Sequence, residues 1–381
     1  MPEPYIPVRR LISAAGFTTA LGGGSLPEAV RRAMDEAAAS TYRPDDLQAW
    51  ASESIAAATG AESGWVTAGA AAAMTLAAAA CIAGARRPEI DRLPATDGLA
   101  AEIVVQRGHR NAYDRAFRSA GARIVEVGYP HMEGVGLTYE WQLEDAFSER
   151  TVAVAHLALA DEQGVPLERV CELAAARGVP VIVDAAAELP PVSNLRRFVE
   201  AGAALVAFSG GKAMRGPQGS GILAGRRELI ESVRLQTLDM DVDVAEWIAA
   251  EGGEPPHHGL GRSMKVGKEQ IAGVVIALQE FVRRDHEAEA NEHARWLETL
   301  VPAAGRIGEP AVLRDLHFYP RLVISGLGEE GARAAAARLA AATPSIVVPH
   351  APLGRGEIVI APEAIVDADR QVVEEALSHE R

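Results

Sequence analysis

Apolar positions in the middle of the chain come in short runs. EIVVQ (102–106), RIVEV (123–127), TVAVAHL (151–157), VPVIVDA (179–185), ALVAFS (204–209) and GILAG (221–225) are apolar or β-branched at most positions and read as strands. Between them RNAYDRAFRSAG, PLERVCELAAARG and NLRRFVEAG carry helical spacing. Each ends in a glycine, the residue that most easily closes a helix at C′. Strands alternating with helices predict an α/β fold, a mainly parallel sheet with helices on both faces. VPVIV is apolar at every position, as a strand covered on both sides should be.

The pattern changes near residue 250. EGGEPPHHGLGRSMKVG (251–267) is rich in Gly, Pro and His and reads as a linker, followed by a long amphipathic helix over 269–300. Then come LHFYPRLVISGLG, the helix GARAAAARLAAATP, SIVVPH, GEIVIAP and a last helix from Asp367, the order of a smaller α+β domain. The division expected is a large domain over 1–250 and a small one over 251–381, with the N-terminal ~20 residues packing on the small domain.

Charge narrows the partners. Against 37 Lys and Arg stand 52 Asp and Glu, a formal net charge of −15, which disfavours nucleic acid or an anionic membrane surface. Cys81 and Cys171 lie far apart in apolar runs and are expected to be buried, reduced thiols. MPEPYIPVRR is not followed by the apolar core of a signal peptide. AGAAAAMTLAAAACIAGA (68–85) is alanine-rich, and alanine inserts poorly into membranes, so it predicts a buried helix of a cytoplasmic protein. The histidines of HEAEANEH (286–293) are seven apart, not the spacing of a helical zinc site, and His257 and His258 lie in the linker; no metal site is predicted.

Candidate chemistry gathers where strands end, since ligands of open α/β sheets bind beyond their carboxyl ends. WVTAGAAAAM is a strand, a small-residue turn and a helix start, whose backbone N–H groups can bind an anion. Asp184 ends a buried strand and needs a cation, a helix cap or a protonated ring nitrogen as partner. VAFSGGKAMRGPQGSGI places Ser209 and Lys212 in a glycine-rich exit from another strand. Ala213 follows the lysine, so this is not a phosphate-binding P-loop.

That order resembles fold-type-I pyridoxal-5′-phosphate (PLP) enzymes, aminotransferase class V-like, of the branch related to bacterial selenocysteine synthase and D-glucosaminate-6-phosphate ammonia-lyase. The matching pieces are LISAAGFTTALGGGSLP, VTAGAAAAMTLAAAACIAG, VVQRGHRNAYDRAFRSAGARIVEVG, PVIVDAAAELPP, FSGGKAMRGPQGSGILAGR and GRSMKVGKEQIAG, and they cover residues 11 to about 280. The resemblance implies that Lys212 carries PLP through a carbon–nitrogen double bond (a Schiff base) and that Asp184 pairs with the pyridine nitrogen. It implies that Ala68, Gly69, Ala70 and Ser209 hold the phosphate, and that His109 lies against the ring. Arg110, Asn111, Tyr113, Arg215, Arg262, Lys265 and Arg321 are candidate substrate contacts, with Arg355 ranked behind Arg321 and Gly22–Gly24 shaping the entrance. The loop GLGRSMKVGK would reach a neighbouring subunit's site in a homodimer or higher homo-oligomer. The implied reaction is α,β-elimination on a β-hydroxy amino acid or amino-sugar acid in amino acid metabolism. Racemisation, transamination and aldol cleavage on the same scaffold are the alternatives. Selenocysteine synthesis on tRNA and a non-enzymatic sensor rank last.

Overall fold

A computed structural model describes residues 6–130, 136–239, 241–251, 254–256, 258–314 and 318–378, so His257 lies outside the described residues. The chain forms two compact units, residues 26–283 and residues 1–25 with 284–381. The sequence pattern had suggested a change at 251; the contacts divide the chain between Arg283 and Arg284.

The larger unit is built on seven strands: β1 Ser63–Thr67, β2 Glu102–Gln106, β3 Arg123–Val127, β4 Thr151–Leu157, β5 Val181–Asp184, β6 Leu205–Ser209 and β7 Gly221–Gly225. Their order across the sheet is β1-β7-β6-β5-β4-β2-β3. All neighbours are parallel except β7, which runs antiparallel to both β1 and β6. From β4 the chain steps through β5 to β6, whereas β2 leads outward to β3. The order therefore reverses between β2 and β4, which opens a crevice at their carboxyl ends.

Helices of this unit include α1 Glu28–Ala39, α2 Pro44–Thr59, α3 Ala70–Ala83, α4 Asp114–Ser119, α5 Leu167–Ala175, α6 Asn194–Glu200, α7 Arg227–Gln236 and α8 Lys268–Arg283. The apolar run at 68–85 is α3, buried at every residue from Ala72 to Ala80. Its alanines let it lie close against the sheet, and among the described residues no helix is long and apolar enough to cross a membrane. Gly121 and Gly202 follow the ends of α4 and α6 with φ of 89° and 104°, the left-handed closure that their positions predicted. Cys171 is buried as expected, whereas Cys81 is half-buried; desolvation lifts both thiols to about 12.

The expected single helix over 269–300 is two helices. α8 ends at Arg283, and α9 (His286–Ala304) starts afresh because the Asp285 side chain accepts a hydrogen bond from Ala288 N at 2.9 Å. In the smaller unit Glu309–Leu313, Arg321–Ser325 and Ile358–Ile360 form an antiparallel sheet, and Leu11–Ser13 pairs in parallel with Ser345–Val347. Its helices α10 (Gly328–Ala341) and α11 (Asp367–Ser378), together with α9, close a separate apolar core.

Candidate active site

Three chain segments of the larger unit carry the candidate groups. The first is the start of α3. Gly69 caps it with φ +97°, a conformation that excludes other residues, and the Thr67 hydroxyl donates to Gly69 O at 3.0 Å. The N–H groups of the first turn lack helical acceptors. β7 makes room for them: a Cβ on Gly221 would come within 2.6 Å of Gly69 C and 2.7 Å of Ala70 N.

The second segment leaves β6. Ser209 pairs with Gly221 across the sheet, and its hydroxyl makes no hydrogen bond among the described residues. After it the loop folds onto itself, with Gly216 N to Gly210 O at 2.8 Å, Arg215 N to Lys212 O at 2.8 Å and Gly210 N to Ser220 O at 2.9 Å. The glycines here serve close packing rather than flexibility. A Cβ on Gly210 would meet Ser220 Oγ at 2.4 Å, one on Gly211 would meet Gln218 Cα at 2.6 Å, and the left-handed residue is Arg215 (φ 60°). Lys212 is thereby held half-buried, and its amine makes no hydrogen bond or ion pair among the described residues. Burial pushes the amine below its ordinary pKa, against the pull of Asp184 and Glu188.

The third segment leaves β5. Asp184 Oδ1 accepts from Ala186 N at 3.0 Å, and burial raises its carboxyl above the usual range, while that bond and Lys212 lower it. Asp184 and Lys212 are thus within electrostatic reach of each other, each desolvated, at adjacent strand ends.

Asp184 shares a narrow cleft, partly open to solvent, with Met74, Val105, His109, Phe117 and His156. His109, 2% exposed, accepts from Leu157 N at Nδ1 (3.2 Å), so the neutral ring carries its proton on Nε2. That nitrogen meets no acceptor at hydrogen-bond geometry among the described residues, although the Ala160 backbone is near enough to raise the ring's pKa. Burial, then the neighbouring His156, drives its pKa down to about 3. His156, 1% exposed, stands edge-on to it with ring centroids 4.4 Å apart and bonds Asp161 Oδ1 through Nε2 at 2.8 Å. That bond holds the Asp161 carboxyl below its usual range; Leu167 N and Arg197 also bond it. His156, Asp161 and Glu188 escaped the sequence reading. Strand periodicity hid His156, and only its place beside a strand's end, five residues before an aspartate, could have marked it.

The proposed substrate contacts are less uniform. Tyr113 is exposed beside the cleft, and Asn111 also lines it, although its Oδ1 accepts from Tyr113 N at 2.7 Å. Arg110 is not open to a substrate anion, because Asp114 and Glu126 take its guanidinium. Arg262 pairs with Asp239, Arg215 is also engaged, and Lys265 is exposed. In the smaller unit Arg321 is held by Glu363 in two bonds of 2.8 and 2.9 Å, and Arg355 pairs with Glu357. Gly22 and Gly23 are left-handed there, at φ 81° and 78°. No cluster fit to hold a metal ion occurs among the described residues.

Comparison with known proteins places this arrangement. The Aminotransferase class-V family description matches residues 98–252. A 5′-C-glycyluridine monooxygenase-decarboxylase from a Streptomyces species is 31% identical across 98% of this chain and 90% of its own length. D-glucosaminate-6-phosphate ammonia lyase of Salmonella typhimurium is 32% identical across 79% of this chain and 74% of its own. A solved D-glucosaminate-6-phosphate ammonia-lyase structure superposes with a TM-score of 0.81 at 28% identity, covering 97% of this chain and 95% of that one. With the reversal of strand order, the bare helix start and the half-buried Lys212 that has no partner among the described residues, these likenesses lead to one conclusion: the chain belongs to the fold-type-I PLP-dependent enzymes, on the aminotransferase class V-like branch that includes D-glucosaminate-6-phosphate ammonia-lyase.

Proposed function

We propose that this protein is a PLP-dependent lyase that eliminates ammonia from a β-hydroxy amino acid or amino-sugar acid. The observation that carries the reading is the unpaired, desolvated Lys212 amine within electrostatic reach of a half-buried aspartate at the neighbouring strand end. The donor set suits the cofactor: N–H groups and the free Ser209 hydroxyl for a phosphate, a carboxylate for a protonated ring nitrogen, and a neutral histidine with an orphaned Nε2 in the cleft between. Bound there, PLP would supply an electron sink for the pair left at a substrate Cα.

Ala68, Gly69, Ala70 and Ser209 would anchor the phosphate, and Asp184 would keep the ring nitrogen protonated once that cation offsets its burial. His109, neutral at physiological pH, would lie against the ring without adding charge. Lys212 would hold the cofactor and, once released by substrate, take the Cα proton, a role its lowered pKa suits. Asn111 and Tyr113 are the nearer candidates to orient substrate; Arg215, Arg262, Lys265 and Arg321 would have to exchange or share their present surroundings to do so. The reading includes a cytoplasmic homodimer in which Arg262 and Lys265 serve the neighbouring site.

A second reading is oxidative decarboxylation, favoured by the Streptomyces relative's match to 98% of the chain. Assay of the PLP-loaded protein against D- and L-amino acids and phosphorylated amino-sugar acids separates the two. Elimination predicts ammonia and a 2-oxo acid without oxygen uptake. Carbon dioxide release with oxygen consumption would replace it with the second reading, and loss of optical rotation alone would mean racemisation.

A further inference from the structure

β5 and β6 are parallel neighbours, with Asp184 opposite Ala207, and Ala185 N continues the pairing to Ala207 O at 3.0 Å. The loops that leave them therefore open side by side at one sheet edge, one carrying Lys212 and the other Glu188, four residues past Asp184. The backbone at Glu188 is fixed by its N–H to Ala185 O at 3.2 Å and by Asn194 Nδ2 donating to its carbonyl at 2.7 Å. Its side chain is left half-buried with no hydrogen bond or ion pair among the described residues. Such a carboxyl is held by no partner of its own, and it lies within electrostatic reach of the Lys212 amine and Asp184.

We propose that Glu188 is the acid that protonates the departing β-oxygen. This rests on the elimination reading. Lys212 takes the Cα proton, the Cα–H electron pair becomes the Cα–Cβ double bond as Cβ–O breaks, and the Glu188 proton passes to that oxygen, which leaves as water. The unsaturated amine gains a proton at Cβ and is hydrolysed to a 2-oxo acid and ammonia, so no oxidant or reductant is required. The charged groups that act on Glu188 through space are Arg197, Asp184, Lys212 and Asp161. Burial outweighs the two cations and keeps the carboxyl above its ordinary range, as an acid requires.

The test is Glu188→Gln in the PLP-loaded enzyme, with D-glucosaminate 6-phosphate in deuterated water. Ammonia release and exchange of the Cα proton for deuterium are followed together. Ammonia release should fall by about 100-fold or more, within the range for loss of a general acid, while exchange and the near-visible absorption of the cofactor persist. Equal loss of both rates would make Glu188 structural, and loss of neither would remove it from the reaction. If the glutamine variant does not retain cofactor, the same pair of rates in Glu188→Asp decides. Wild type that exchanges the Cα proton without releasing ammonia would overturn the elimination reading itself, and this inference with it.

Discussion

At Lys212 burial lowers the amine's pKa while Asp184 and Glu188 pull it up, so the amine gives up its proton more readily than an exposed lysine does. His109 shows the same physics more simply. Its pKa is about 3 in the folded protein against 6.5 when free, so below pH 6.5 the unfolded chain takes a proton that the native state refuses. The stability due to neutral His109 is complete above pH 6.5 and is lost as pH falls towards 3, about 2 kcal/mol of it by pH 5. The melting temperature of His109→Asn should fall less steeply than wild type between pH 7 and pH 5; parallel curves would contradict this. Lys212 and Asp184 were legible in the sequence because a lone charge at the end of an apolar strand is conspicuous. Glu188 was not, because a carboxylate in a loop ordinarily means only solvent.

Among elements, the junction of α3 with β7 would control the proposed phosphate site. Gly221→Ala would drive a methyl group into the backbone of Gly69 and Ala70, displacing the helix start. The PLP dissociation constant should rise about tenfold or more, equivalent to about 1.4 kcal/mol, whereas Gly219→Ala, whose Cβ would meet nothing within 4 Å, should leave it unchanged. Equal affinities for the two variants would mean that the helix start does not hold the phosphate. The strands were readable because full burial demands apolar residues at every position. The glycine-rich exit at Gly210 and Gly211 was legible as a sharp bend, but not that it serves close approach, since a run of glycines looks alike in sequence whether it serves left-handed φ or close packing. The break between α8 and α9 was hidden because Asp285, a helix cap, also suits the exposed face of a continuous helix.

For the whole molecule, the alternation of strands and helices gave the architecture, and the acidic balance matches a small-molecule enzyme rather than a nucleic-acid binder. The boundary between the units was harder to see: residues 1–25 group with residues 284–381, in keeping with the expected packing of the N-terminal segment, but the division falls after Arg283 rather than at the Gly/Pro-rich stretch near 251. The candidate arginines show the same limit: Arg110 and Arg321 look available in sequence, and only the fold brings Glu126 and Glu363 to them. The central claim is that Lys212 carries the cofactor. Borohydride reduction of the PLP-loaded protein, followed by proteolysis and mass spectrometry, should place the pyridoxyl group on the peptide containing Lys212 and nowhere else. A label on another lysine, or none, would contradict the account.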